Sequence, residues 1–191
     1  MVISAHWDSV ANSPGTNDNG SGVVATLEVA RILANQNTTN SIIFAFFDKE
    51  EVGCEGSKAF VRELVVPLIV GELGASIQGV YNLDTLLGFS SQPASQDLDP
   101  SWERLYPDLA LTIQNNQRRG DFIMTVGRNT SEDSRIAETF SKYLPDYTVN
   151  HLKVRKIFLS SGDYLFRVYS RWGTFPTSSL RRPNYLTTCL L

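Results

Sequence analysis

The stretch "IIFAFFDKEEVGCEGS", residues 42–57, joins a strand-like apolar run to a cluster of charged residues. It opens with an unbroken apolar run, which is typical of a strand covered on both faces of a sheet. Four charged residues then follow together: Asp48, Lys49, Glu50 and Glu51. Adjacent carboxylates repel each other and resist leaving water unless a cation or a proton compensates them. A solvated loop is the simplest interpretation of the pair, because acidic side chains are seldom buried.

Strand and helix patterns alternate on both sides of this stretch. Strands are predicted at four places: "VISA" ending at His6, "SIIFAFF", "ASIQGVYNLD" ending at Asp84, and "DFIMTVG". Helices are predicted at three: residues 22–36, residues 56–66 ending by Pro67, and "SEDSRIAETFSKYL". The segment "GFSSQPASQDLDPSW" is predicted to be a long loop. This alternation predicts an α/β layered sheet with helices on its faces.

Length and composition favour one globular domain over residues 1–191. The chain has 191 residues, of which 42% are hydrophobic and 19% charged, so it is long enough to bury a core. The net charge of -3 gives no reason to expect a nucleic-acid or anionic membrane partner. No apolar run has the length of a transmembrane helix.

The cysteines and the first residues carry little information about compartment. The two cysteines, Cys54 and Cys189, form no CxxC pair, and a bridge between them stays open. The chain enters a strand at residue 2 without a basic start or a cleavage site, so no signal peptide is visible. We therefore expect a fragment of a longer protein, or a gene model that starts too late.

Imidazole and carboxylate groups follow the ends of three predicted strands. His6, the Glu50–Glu51 pair and Asp84 stand at or just past these ends, and Asp18 lies in the glycine-rich "GTNDNGSG" after the first strand. In open α/β sheets, ligands bind in the crevice beyond the carboxyl ends of the strands. Since histidine nitrogen and carboxylate oxygen together suit zinc, the sequence predicts a metal site there.

Each of these residues has an ordinary interpretation when it is taken alone. Asp18 would be a turn aspartate, Asp84 a helix cap, and His6 a surface or core histidine. In "HWD", residues two apart on a strand point the same way, so Asp8 is predicted to orient the His6 ring. The residues taken together indicate a metal site more specifically than any one of them does alone.

Four segments carry a resemblance to a known family: "ISAHWDSV", "PGTNDNGSGVVATLEVARIL", "IIFAFFDKEEVGCEGSKAF" and "GVYNLDTLLGF". In order and spacing they resemble the zinc-dependent two-metal aminopeptidases, a family that spans bacterial leucine aminopeptidases, glutamate carboxypeptidase II-like proteins and glutaminyl cyclases. The likeness runs from residue 2 to about residue 90, and continues more weakly through "GDFIMTVGRNTS". It implies a three-layer α/β/α sandwich with a mixed, mostly parallel sheet, incomplete at both ends in this chain.

The resemblance also implies a ligand set for two zinc ions. His6 and Asp84 would bind one ion and Glu51 the other, with Asp18 bridging both. Glu50 would be the general base, with Asp8 orienting His6. The implied reaction is removal of N-terminal residues from a peptide with a free N-terminus. Family members are often exported, which makes a secreted or periplasmic location an expectation from the resemblance alone.

The resemblance is weak and interrupted after residue 155. The family supplies a late histidine ligand where "RRPNYLTTCLL" has Leu186, and a second family histidine is replaced by Tyr164 in "SSGDYLF". An apolar strand expected near "RWGTFPTSSL" is missing. His151 is better explained as a solvated edge residue than as a replacement ligand. We expect the tail, from about residue 156, to be degenerate or affected by a reading-frame error.

Three functions stay open at this point. The first is a zinc exopeptidase that is active or impaired in this copy. The second is a catalytically dead relative that acts as a binding or structural domain, supported by Leu186 and the missing end pieces. The third and weakest is a glutaminyl cyclase-like acyltransferase, since that branch works with a single zinc.

Overall fold

The computed structural model describes residues 1–97, 100–147, 153–159 and 184–188. Three residues singled out above, His151, Tyr164 and Cys189, lie outside these ranges. The strands are β1 Val2–His6, β2 Ile43–Phe47, β3 Val80–Asp84, β4 Phe122–Arg128, β5 Lys153–Leu159 and β6 Asn184–Thr188. The α-helices are α1 Gly20–Leu33, α2 Glu55–Phe60, α3 Pro100–Leu105, α4 Pro107–Asn115 and α5 Ser131–Tyr147, and a π-helix covers Val61–Glu72.

The described strands form one open, mostly parallel sheet in the order β2-β1-β3-β6-β4-β5. β1 is parallel to β2 and β3, and β4 is parallel to β5 and β6. Of the pairs between described strands, the one between β3 and β6 is antiparallel. The predicted mixed α/β sheet is therefore confirmed. Although the family resemblance is weak in the tail, the tail contributes β6 to the middle of this sheet.

Helices cover both faces of the sheet. One face carries a cluster of buried apolar residues: Val2, Ala45 and Val80. Here the ring of Phe47 packs against Phe60 of α2, with 5.4 Å between the ring centroids. Tyr81 follows Val80 in the strand and so faces the other way. Its ring lies 6.2 Å from that of Phe140 in α5. The sheet is thus the middle of three layers.

The expectation that "SIIFAFF" is covered on both faces is wrong. Among the described strands β2 lies at the edge of the sheet, and Phe46 keeps 38% of its surface exposed. An edge strand has a neighbour on one side only, so less of each face is covered. An apolar run alone does not distinguish an edge strand from a central one.

The helix predicted to end by Pro67 continues past it. α2 passes at Val61 into the π-helix, which contains Pro67 and ends at Glu72. In an α-helix the proline ring would press on the carbonyl four residues back, and one hydrogen bond would be lost. The wider π-helical turn, with bonds between residues i and i+5, accommodates the ring without ending the helix.

Two short helices replace part of the predicted loop and the segment after it. α3 begins at Pro100, and α4 begins at Pro107 and buries Ala110 and Ile113. Proline is common at a first helical position, because its missing N–H would have no partner there. In the described residues, no helix is both long and apolar enough to cross a membrane.

Candidate metal centre

The parallel pairing of β1 with β2 and β3 brings three chain segments to one edge of the sheet. β1 ends at His6 and β3 ends at Asp84, and the turn after β2 carries Glu50. Asp18 lies between β1 and α1, two residues before that helix begins. The structure therefore places these predicted residues where the sequence predicts them, at the carboxyl ends of neighbouring strands.

The His6 imidazole is the centre of the cluster, and only 2% of its surface is exposed. Its Nε2 atom lies 3.2 Å from Asp18 Oδ1, 3.7 Å from Asp84 Oδ1 and 3.9 Å from Glu50 Oε2. His6, Asp18 and Asp84 each offer one ligand atom, and these atoms all lie within 4.8 Å of one another. One nitrogen and two carboxylate oxygens can thus reach a common point.

Two atoms of this cluster are buried without a well-aligned hydrogen bond: His6 Nε2 and Asp84 Oδ1. A buried polar atom that lacks a partner costs free energy, so such atoms usually mark a place for a ligand or a water molecule. A cation between them would satisfy both atoms at once. Because the donors are imidazole nitrogen and carboxylate oxygen, the site fits zinc.

Asp8 joins the histidine to the turn that carries the two glutamates. Asp8 Oδ1 lies 3.3 Å from His6 Nδ1, and the backbone oxygen of Asp8 lies 3.1 Å from the same nitrogen. The Asp8 carboxylate also accepts the backbone N–H groups of Glu50 at 3.1 Å and Glu51 at 3.2 Å. The structure places Asp8 beside His6 as predicted, whereas its bonds to the glutamate turn were not anticipated.

The two glutamates differ in their surroundings. Glu50 Oε1 accepts a hydrogen bond from the Cys54 thiol at 3.8 Å, and its other oxygen faces His6. Glu51 is not one of the three residues whose ligand atoms lie within 4.8 Å of one another. The described geometry thus brings together one complete set of three donors, with Glu51 on the adjacent turn.

Comparison with known proteins identifies the family of this chain. Residues 1–139 match the profile described as "Peptidase family M28". This chain belongs to peptidase family M28. The match spans most of the sequence and includes every residue of the cluster. M28 peptidases are zinc-dependent, which agrees with the donor set.

Three curated aminopeptidases are similar to parts of this M28 chain. The aminopeptidase YwaD of Bacillus subtilis is 47% identical over 96 residues, which are 50% of this chain and 20% of that protein. A probable lipoprotein aminopeptidase, LpqL of Mycobacterium tuberculosis, is 44% identical over 72 residues, or 37% of this chain and 14% of that protein. An aminopeptidase of Pseudomonas aeruginosa is 45% identical over 64 residues, which are 34% of this chain and 12% of that protein.

The chain therefore matches only a small part of the length of these relatives, at most 20% in the three described. No solved structure matches the M28 chain at a significant level.

Charge in the M28 site shifts the titration of two groups. Burial alone would lower the pKa of His6, but the Asp18 and Asp84 carboxylates and the charge of Glu50 outweigh it and raise that pKa to about 11. Burial raises the pKa of Glu50 to about 8, although the charge of His6 opposes this shift. At neutral pH the metal-free site therefore holds His6 as an imidazolium and Glu50 mostly in its protonated form.

Zinc affinity is expected to rise with pH. A histidine must be neutral to bind metal, and the raised pKa of His6 means that zinc has to displace a proton at any pH below about 11. Each displaced proton makes the affinity about tenfold higher per pH unit. Calorimetric titration between pH 6 and pH 8, in buffers of different ionisation enthalpy, measures both the affinity and the proton release.

The second histidine of the chain provides the control for this titration. His151→Gln should keep the pH dependence, and His6→Gln should lose most of the zinc binding. An affinity that stays constant between pH 6 and pH 8 would contradict a protonated His6 in the metal-free site.

Proposed function

We propose that this chain is part of a zinc-dependent exopeptidase, an aminopeptidase that hydrolyses the first peptide bond of a peptide with a free N-terminus. The observation that carries this proposal is the meeting of His6, Asp18 and Asp84 around a common point, with Glu50 Oε2 3.9 Å from His6 Nε2. Membership of peptidase family M28 and the aminopeptidase names of its relatives support the same reaction class.

His6, Asp18 and Asp84 would hold one zinc ion, and Asp18 would share a second ion with Glu51. Zinc supplies two kinds of help to hydrolysis: it polarises the carbonyl group that is attacked and it makes water more acidic. His6 is prepared for this role by Asp8. The contact between Nδ1 and Asp8 favours a proton on that nitrogen, which leaves Nε2 as the ligand atom of the neutral ring.

Glu50 would move the proton during hydrolysis. A general base works best when its pKa lies near the working pH, and burial brings the pKa of Glu50 to about 8 in the metal-free site. Its carboxylate would take a proton from the attacking water and deliver it to the leaving nitrogen. The bonds from Asp8 to the backbone of Glu50 and Glu51 hold the turn in place during this transfer.

We expect the two zinc positions to differ in strength. The His6 side has three protein donors, the number that catalytic zinc sites usually have. Among the described residues, the resemblance assigns Asp18 and Glu51 to the Glu51 side, with Leu186 in the place where it implies a histidine. One tight ion and one weak or missing ion follow, and hydrolysis by this chain should be impaired.

Zinc content and substrate choice test the proposal together. Purified protein, dialysed against metal-free buffer after loading with zinc, should retain about one zinc per chain by mass spectrometry of the metal. It should release the N-terminal residue from a leucine amide, but leave the N-acetylated amide intact. The variant His6→Ala should lose both the metal and the hydrolysis.

Other outcomes would contradict the aminopeptidase. A folded protein that retains no zinc and cleaves neither amide would be a binding or structural relative. Retention of one zinc with conversion of an N-terminal glutamine to pyroglutamate, and no release of leucine, would indicate a cyclase.

A further inference from the structure

The loop before α1 and the end of β3 are joined by side chains that the metal site does not use. Three polar residues in this loop and the first turn of α1, here called the clamp, bond to backbone groups of residues 83–87: Asn17, Asn19 and Ser21. Asn17 Oδ1 accepts the Leu87 N–H at 2.8 Å, and Ser21 Oγ accepts the Leu86 N–H at 2.8 Å.

Asn19 makes the central contacts of the clamp, and it is 1% exposed. Its Nδ2 group donates to the Leu83 carbonyl at 2.8 Å, and its Oδ1 atom accepts the Thr85 N–H at 3.2 Å. The same Oδ1 accepts the N–H of Gly22 at 2.9 Å and so also caps α1. One side chain must donate and accept here, which an amide does and an aliphatic or carboxylate side chain does not.

Gly22 shows how closely the two segments approach. A methyl group at this position would overlap Asn19 Oδ1 and the backbone oxygen of Leu83. The start of α1 therefore lies against the end of β3 with no room for a side chain between them, and the hydrogen bonds of Asn19 join the two segments at this point.

The clamp surrounds both acidic residues of the predicted site. Asp18 lies between Asn17 and Asn19 in sequence, and Asp84 lies between two residues whose backbone groups Asn19 bonds, Leu83 and Thr85. We propose that Asn19 is a positioning residue, which fixes the loop of Asp18 against the strand end of Asp84 and thereby sets the affinity for zinc. The claim that Asn19 joins the two segments concerns the fold alone, whereas the claim about zinc affinity rests on the proposed function.

The test compares Asn19→Ala with Asn17→Ala, a change of the same residue type in the same loop. Asn17 Oδ1 accepts the N–H of the exposed Leu87 and, at 3.4 Å, the hydroxyl of Ser21, whereas the buried Asn19 side chain makes three hydrogen bonds, two of them to the end of β3. Amide hydrogen exchange of the metal-free proteins should accelerate at Thr85 in Asn19→Ala and stay near the parent value there in Asn17→Ala. This measurement needs no metal.

Zinc affinity, measured by competition with a chelator, gives the second readout. Changes next to metal ligands cost about 10–100-fold in affinity, so we expect a loss of at least about tenfold in Asn19→Ala and a smaller one in Asn17→Ala. The absorption bands of bound Co²⁺ should shift in Asn19→Ala, because they report ligand geometry. A role in stability alone would lower the free energy of unfolding without moving these bands.

Three outcomes decide against the proposal. The first is a folded Asn19→Ala with parental zinc affinity and Co²⁺ spectrum. The second is unchanged exchange at Thr85. The third applies if Asn19→Ala does not fold and Asn19→Asp is used instead. This variant keeps both acceptor contacts and loses only the donor to Leu83, and a parental zinc affinity in it would contradict the proposal. A parent protein that takes up no zinc would contradict the proposed function, and the exchange of Thr85 would still show whether Asn19 holds the two segments together.

Discussion

Replacing Glu50 by glutamine is expected to leave zinc bound and to slow hydrolysis by about 10²–10⁴-fold, the usual contribution of a general base. Glutamine has nearly the same shape but cannot take up a proton at its oxygen. Glu50 is also not one of the three residues whose ligand atoms lie within 4.8 Å of one another, so its charge is not needed to complete that set. Metal analysis and the rate on a leucine amide measure the two effects separately.

Glu55→Gln is the matched control for Glu50→Gln. Glu55 lies in α2, is exposed and pairs with Lys58 at 3.4 Å on the surface. An exposed pair of this kind contributes little, so both zinc content and rate should stay near the parent values. If Glu50→Gln loses zinc together with the activity, then Glu50 is a ligand, and the roles proposed for Glu50 and Glu51 must be exchanged.

Strand ends were the most predictable part of this molecule. Each is a local change from apolar to polar sequence, and the predicted ends at His6 and Asp84 coincide with the ends of β1 and β3. Once parallel strands are assumed, the same local signal places the acidic residues at one edge of the sheet. The positions of His6, Asp18 and Asp84 could therefore be predicted without the structure.

Contacts between distant segments could not be predicted in the same way. The bonds from Asp8 to the turn of Glu50 and Glu51 cross more than 40 residues of sequence, and β6 enters the sheet between β3 and β4. Nothing in the local pattern of either segment indicates its partner. Asn19 is the clearest case, because an asparagine in a glycine-rich turn has an ordinary local interpretation.

The largest expected gain comes from replacing Leu186 by histidine. We expect the number of bound zinc ions to rise from about one towards two per chain. The rate on a leucine amide should rise by about 10–100-fold, because changes to the residues around a zinc ion usually lower affinity or activity by that factor. β6 runs antiparallel to β3 with Leu186 opposite Leu83, and the next pair joins Tyr185 to Asp84. The backbone at residue 186 lies one pair away from Asp84 in this register, and the choice of this position rests on the family resemblance.

Two further variants separate ligation from other effects of Leu186→His. Leu186→Gln introduces a polar side chain that zinc seldom accepts as a ligand, and it should change neither the zinc content nor the rate. The double variant with Glu51→Gln should lose the gain, because the new histidine would then have only Asp18 as a partner at the second ion. If Leu186→His folds and changes neither quantity, residue 186 is not the missing ligand position. The weaker zinc ion, if the chain binds one, must then be completed by another residue.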